Sequence, residues 1–178
     1  KIIATIHSGD TSIYGAIQEQ MDWCEKQEID YCVIPGVSSF QAAAASLKQE
    51  LTLPSVSQTV ILTRISGRTK VPAKEDLQRL AQSRATMVIF LSIYRIDDVI
   101  KKIKKNYGLN TPVAVVEKVS LPEERIITGR LGNIAKKIKK AGITRQALII
   151  IGDVLRKNYQ KSRLYDKDFN HMFRKKKE

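Results

Sequence analysis

Two short stretches bring together residues that could do chemistry. One is Ser8-Gly9-Asp10, which follows the apolar run Ile2-Ile3-Ala4-Thr5-Ile6. The other is Pro35-Gly36-Val37-Ser38-Ser39-Phe40-Gln41, which follows Tyr31-Cys32-Val33-Ile34 and leads into four alanines, Ala42 to Ala45. Both put small residues just past a strand-like segment, where open α/β sheets hold small ligands. Gly9 permits a close backbone approach, Ser38 and Ser39 offer hydroxyl and amide partners, and Asp10 is an acceptor suited to a hydroxyl, amino or cationic group. The same letters also spell a turn at Gly9-Asp10 and a helix N-cap at Ser38.

Other chemistry is thinly represented. There is no serine on a nucleophile elbow, no Walker loop and no HExxH. The acidic pairs Asp97-Asp98 and Glu123-Glu124 are adjacent in sequence, and adjacent side chains do not converge on one reacting atom. Cys24 and Cys32 match neither a zinc spacing nor a CxxC pair and read as two reduced thiols of a cytosolic core. With His7 and His171 as the two imidazoles, a protein-built metal site is not expected. His7 directly precedes the first loop and is the histidine placed to accept a proton, packing at a strand end being its other role. Such a set suits a reaction in which the protein mainly positions two reactive partners.

The elements that must position these loops follow from periodicity. Strands are expected at residues 2–6, 31–34, 58–65, 86–91, 112–119, 125–128 and 147–151. Helices are expected at 12–26, from Ser38 to about Leu47, and at 74–81, 96–105 and 133–140. In the fourth of these, Ile96, Val99, Ile100 and Ile103 form one face and Lys101, Lys102, Lys104 and Lys105 the opposite one. Residues 125–128 read as the antiparallel hairpin partner of 112–119. The alternation predicts an α/β fold with a mixed, mostly parallel sheet. The Pro35-Gly36 step marks a boundary: 1–35 as the C-terminal remainder of a first α/β domain carrying the loop 8–15, 36–155 as a second α/β domain, and 156–178 as a basic tail.

The net charge of +13 divides unevenly. From Arg156 to the end, nine Lys/Arg face three Asp/Glu, so the tail carries +6 and the body +7. A solvated tail, a nucleic-acid surface and a polyanionic small substrate are the three readings of this excess. The chain is 6% aromatic and carries no nucleic-acid-binding signature, which argues against the second. No apolar run approaches the roughly 18–20 residues needed to cross a bilayer, and nothing at the start resembles a cleaved signal peptide. A chain opening on a strand without an initiator Met reads as a piece of a longer cytoplasmic protein.

Four segments together resemble one family. They are Ser8-Gly9-Asp10 with Ser12-Ile13-Tyr14-Gly15, Ile34-Pro35-Gly36-Val37-Ser38-Ser39, Thr111-Pro112-Val113-Ala114-Val115-Val116, and Ala147-Leu148-Ile149-Ile150-Ile151-Gly152-Asp153. They are similar to the tetrapyrrole methylases, which use S-adenosylmethionine in corrin and siroheme biosynthesis. Ser38 to Ala44, Leu51-Thr52-Leu53-Pro54, Ser57 to Arg64 and Ser162-Arg163-Leu164-Tyr165-Asp166 resemble the subgroup that methylates precorrin-4 or cobalt-precorrin-4 at ring carbon 11.

That resemblance implies a cytoplasmic homodimer acting on a tetrapyrrole, with neither nucleic acid nor membrane as partner. It implies cofactor contacts at Ser8, Gly9, Asp10, Ile13, Ser38, Ser39, Leu91, Ala114 and Ala147. Leu91 and Ala147 also read as core. It further implies a preceding strand and glycine-proline loop about 75 residues ahead of Lys1, so that part of the cofactor site is expected outside this chain. Thr11 stands where the family usually has proline, leaving the loop less rigid. For a polycarboxylate macrocycle, Arg64, Arg68, Lys70 and Arg95 are the candidate carboxylate partners. Methylation of another ring carbon and a non-enzymatic basic α/β binding module are the alternatives.

Overall fold

The computed structural model describes residues 1–156. Nearly all of the expected basic tail, including Ser162 to Asp166 and His171, lies outside them.

Five strands form one sheet: β1 (Val60–Arg64), β2 (Thr86–Phe90), β3 (Pro112–Glu117), β4 (Arg125–Arg130) and β5 (Ala147–Ile151). They lie in the order β1-β2-β5-β3-β4. Every residue of β2 and β5 is buried, as expected of central strands covered on both faces. Side-chain alternation sorts the core into two layers. Met87, Ile89, Val113, Val115, Ile149 and Ile151 face α3 (Leu77–Leu80), α4 (Ile96–Tyr107) and α5 (Ile134–Lys140). Val88, Phe90, Val116, Leu148 and Ile150 face α2 (Ser39–Leu47), which contributes Ala43, with Phe40, Ala44 and Leu47 alongside.

The sheet is mixed but mostly antiparallel, which corrects the expected mostly parallel arrangement. Among the described residues only β1 and β2 pair in parallel, whereas β5 runs antiparallel to both of its neighbours, β2 and β3, and β3 pairs antiparallel with β4. Helix-linked strands do run in the same direction, as a crossover requires. Periodicity gives that direction and says nothing about adjacency. Strand β5 enters between β2 and β3 and converts what would have been one parallel contact into two antiparallel ones.

The segment before residue 38 differs more from expectation. Neither 2–6 nor 31–34 joins the sheet, and Ile2, Ile3, Ile6 and Ile34 are exposed. A β-rich pattern becomes a strand only where a neighbour completes its hydrogen-bond ladder, and among the described residues none does. Helix α1 (Gln18–Lys26) starts six residues later than expected because Tyr14 and Ala16 adopt left-handed backbone, and it buries no residue. The two cysteines are therefore not core thiols: Cys24 is half-buried and Cys32 exposed.

Candidate functional site

The carboxyl ends of β1, β2 and β3 point the same way, and the first of the two stretches singled out by residue type reaches the end of β2. The first loop is built on Asp10. Its Oδ1 accepts hydrogen bonds from the Ser12 amide at 2.9 Å and from the Ser12 hydroxyl, closing an Asx turn, while its Oδ2 accepts the Gly36 amide at 2.9 Å. The Ser12 hydroxyl, then the Gly36 amide, then the Ser12 amide hold the carboxyl below its ordinary range. Asp10 thus fastens the first loop to the Pro35-Gly36 step, both of its oxygens engaged within the protein.

The two loops meet backbone to backbone. A Cβ on Gly36 would lie 2.2 Å from the Gly9 carbonyl oxygen, so no larger residue fits there without moving the chain. Gly9 itself has φ of +75° and sits against Val37, Ser38 and Ser39. Ser38 is buried and caps α2, with its amide donating to Gln41 Oε1 at 3.0 Å in a capping box. The N-cap role is therefore real, and Ser39 starts the helix half-buried. Ser8 is exposed, and Ile13 packs against the α2-side core.

The first loop reaches the sheet through Tyr14, whose ring lies 5.1 Å from that of Phe90 at the end of β2. Burial pushes the Tyr14 phenol up, the charge of Arg64 opposing and that of Glu75 adding. The next residue, Leu91, is not core: its side chain is 66% exposed and its φ is +50°, a left-handed conformation uncommon for leucine. Ser92 locks this turn from beneath. Its buried hydroxyl accepts the Ile65 amide at 2.9 Å and donates to the Phe90 carbonyl at 2.6 Å. Strain held in place by its surroundings, with an apolar side chain turned to solvent at a strand end, is a feature of ligand-contact positions.

The remaining candidates are spread more widely. Ala114 is buried in β3, opposite Ile150 and Thr128, on the α2 face. Ala147 begins β5 at the same end of the sheet as Leu91, but its side chain belongs to the core on the opposite face, beneath the α3–α5 layer. His7 is half-buried, and its buried Nε2 has no hydrogen-bond partner among the described residues. The acidic pairs diverge into separate contacts. Asp97 pairs with Lys139 and Asp98 with Arg95, while Glu124 accepts from Ser46 and the Ser120 amide.

The basic candidates divide into two kinds. Arg64 donates to the carbonyls of Thr69 and Lys70 at 3.0 and 3.2 Å, and Arg95 donates to the Ser66 carbonyl at 2.6 Å while pairing with Asp98. Arg68 and Lys70 are exposed and make no ion pair among the described residues. Gly36, Ser12, Tyr14 and Ser92 were not among the expected site residues. Ser12, Tyr14 and Gly36 lie within the stretches the sequence singled out, and the Asp-x-Ser spacing of residues 10 and 12 is a local signal for the Asx turn, whereas Ser92 has no such signal.

The family model for tetrapyrrole (corrin/porphyrin) methylases matches residues 1–135. A cobalt-precorrin-4 C(11)-methyltransferase from Methanocaldococcus jannaschii is 55% identical over 177 residues, covering 98% of this chain and 68% of that protein. Among solved structures, a cobalt precorrin-4 methyltransferase described as a cobalamin biosynthetic enzyme is similar at 41% identity and a TM-score of 0.81, over 84% of this chain and 63% of the other. A uroporphyrin-III C-methyltransferase from Thermus thermophilus, solved in complex with S-adenosylhomocysteine, is similar at 25% identity and a TM-score of 0.69, over 83% and 64% of the two chains. The chain spans 63–68% of the length of these relatives.

Proposed function

We propose, from the premise that this chain belongs to the tetrapyrrole (corrin/porphyrin) methylases, that it serves S-adenosylmethionine-dependent methylation of precorrin-4 or cobalt-precorrin-4 at ring carbon 11, in cobalamin biosynthesis. The observation that carries this reading is the backbone-to-backbone meeting of the Gly9 and Gly36 loops beside the strained, exposed Leu91, in a chain 55% identical to a cobalt-precorrin-4 C(11)-methyltransferase. The cofactor would supply a methyl group made electrophilic by its sulfonium.

Ser8, Gly9, Ile13, Ser38, Ser39 and Leu91 are the residues we assign to hold it. Close backbone approach at Gly9 and the apolar Leu91 side chain fit the flat purine of such a cofactor, while backbone and hydroxyl groups suit its ribose and amino-acid end. Asp10 is assigned as a positioning residue acting through Ser12 and Gly36. Ala114 and Ala147 are assigned backbone contacts, Ala147 because its side chain faces away. Orientation and exclusion of water then account for most of the acceleration, since holding two partners in line replaces a bimolecular encounter. His7 Nε2 has no hydrogen-bond partner among the described residues, and His7, next to the loop, is the residue we assign to take up the proton released as the macrocycle is methylated. Unchanged turnover in H7Q would remove it from that role.

The division at Pro35-Gly36 into two α/β units belongs to the same proposal, supported by the exposed apolar side chains of residues 1–35. A homodimeric, cytoplasmic enzyme with neither nucleic acid nor membrane as partner also rests on the family likeness. Calorimetry with S-adenosylhomocysteine on the full-length protein tests the reading. Specific micromolar binding is expected, whereas no binding together with steeply salt-dependent DNA affinity would favour a basic binding module.

A further inference from the structure

We infer that residues 66–70 form a preorganised carboxylate-recognition arm, in which Arg68 and Lys70 meet acidic substituents of the macrocycle and Arg64 and Arg95 are positioning residues that hold their backbone. This rests on the methylase reading and assigns how its substrate is recognised. The arm leaves β1 at the end of the sheet where Tyr14, Phe90 and Leu91 gather. All five of its residues are exposed, and a short exposed loop is ordinarily among the more mobile parts of a fold. Here it is tied down at both ends.

The Arg64 fork takes the Thr69 and Lys70 carbonyls, and Arg95 takes the Ser66 carbonyl. The Ser66 hydroxyl accepts the Val71 amide at 3.0 Å, and the Gly67 amide donates to the Thr69 carbonyl at 3.2 Å. Gly67 packs under Tyr94, where a Cβ would come within 2.8 Å of the phenol oxygen. Two guanidinium groups are thus directed at neutral carbonyls, which shapes the loop without cancelling its charge. Of Arg64, Arg68, Lys70 and Arg95, only Arg95 has an acidic partner among the described residues.

A cluster in which three of four cations lack an acidic partner among the described residues is a field suited to a polyanion. Arg68 offers a planar fork that matches a carboxylate, and Lys70 a mobile point charge that tolerates varied geometry. A tetrapyrrole bearing acetate and propionate arms presents several carboxylates around one rigid disc, so two cations carried on a fixed stretch of backbone would also orient the ring.

The test uses the full-length protein and uroporphyrin, with eight carboxylates, as probe, its binding followed by porphyrin fluorescence anisotropy at low and high salt. Exposed ion pairs are individually weak, and reversal adds repulsion to the loss of attraction, so R68E/K70E is expected to weaken binding about 10-fold. It should also flatten the salt dependence, because fewer ion pairs remain to be screened. R64K is expected to weaken binding while keeping the salt dependence, since it removes the fork and retains the charge. S-adenosylhomocysteine affinity should be unaltered in both variants. If R68E/K70E binds uroporphyrin as the unsubstituted protein does, with S-adenosylhomocysteine bound normally, the recognition arm is refuted and the methylase reading stands. If the unsubstituted protein binds neither ligand, both fail.

Discussion

Substitution of Gly36 by alanine isolates the contact on which the candidate site depends. The new Cβ would lie 2.2 Å from the Gly9 carbonyl oxygen, 3.1 Å from its carbonyl carbon and 3.4 Å from the Asp10 Cα. These neighbours are backbone and cannot rotate away, so the first loop must retreat by about 1 Å to restore ordinary van der Waals separation. The Gly36 amide, now 2.9 Å from Asp10 Oδ2, would be drawn out of hydrogen-bonding range by the same movement. A misplacement of about 1 Å in positioning residues can cost on the order of 100-fold in rate. That loss is expected in kcat/KM for methyl transfer, with a matching fall in S-adenosylhomocysteine affinity by calorimetry. Stability should change by about 1 kcal/mol or less, because Gly36 is exposed and residues 1–37 include no buried residue. V37A, altering an exposed neighbour, is the control. A G36A protein with undiminished cofactor affinity and turnover would refute the assignment of this contact to the site.

Two further outcomes follow from groups around the sheet. S92A strands the buried Ile65 amide and frees the Leu91 turn; a loss of about 1–3 kcal/mol in urea unfolding is expected, together with weakened cofactor binding. Burial pushes the Tyr107 phenol up to about 12, while the unfolded chain titrates near the ordinary 10.0. The phenol therefore contributes stability that is fully present below pH 10 and lost as pH rises through about 12. The stability difference between the unsubstituted protein and Y107F should shrink across that window, and a difference independent of pH would contradict the burial argument.

Local patterns were legible where they are satisfied locally. Helix α2 begins directly after the serine that caps it, α4 buries Ile96, Val99 and Ile103 at the expected spacing, and β5 occupies the expected 147–151. What pattern could not reveal was partnership. The same β-rich signal that marks β5 also marks 2–6 and 31–34, which find no ladder among the described residues, and no periodicity announces that β5 inserts between β2 and β3.

The site divides along the same line. Gly9, Asp10, Ser38 and Ser39 were visible as turn and cap residues near strand-like segments. That Asp10 would spend both oxygens inside the protein, on partners two and 26 positions away, required the folded backbone. The exposure of Leu91 and the diversion of Arg64 and Arg95 to loop carbonyls are likewise tertiary facts with no signature in composition or spacing.

The most direct test of methylation at carbon 11 is to incubate the full-length protein with S-adenosylmethionine labelled with carbon-13 on its methyl group. Precorrin-4 and cobalt-precorrin-4 would be supplied in parallel, and the label located by NMR. The expected result is a single new methyl resonance on ring carbon 11 in one or both products. Label on another ring carbon, or no label while S-adenosylhomocysteine binds normally, would contradict it.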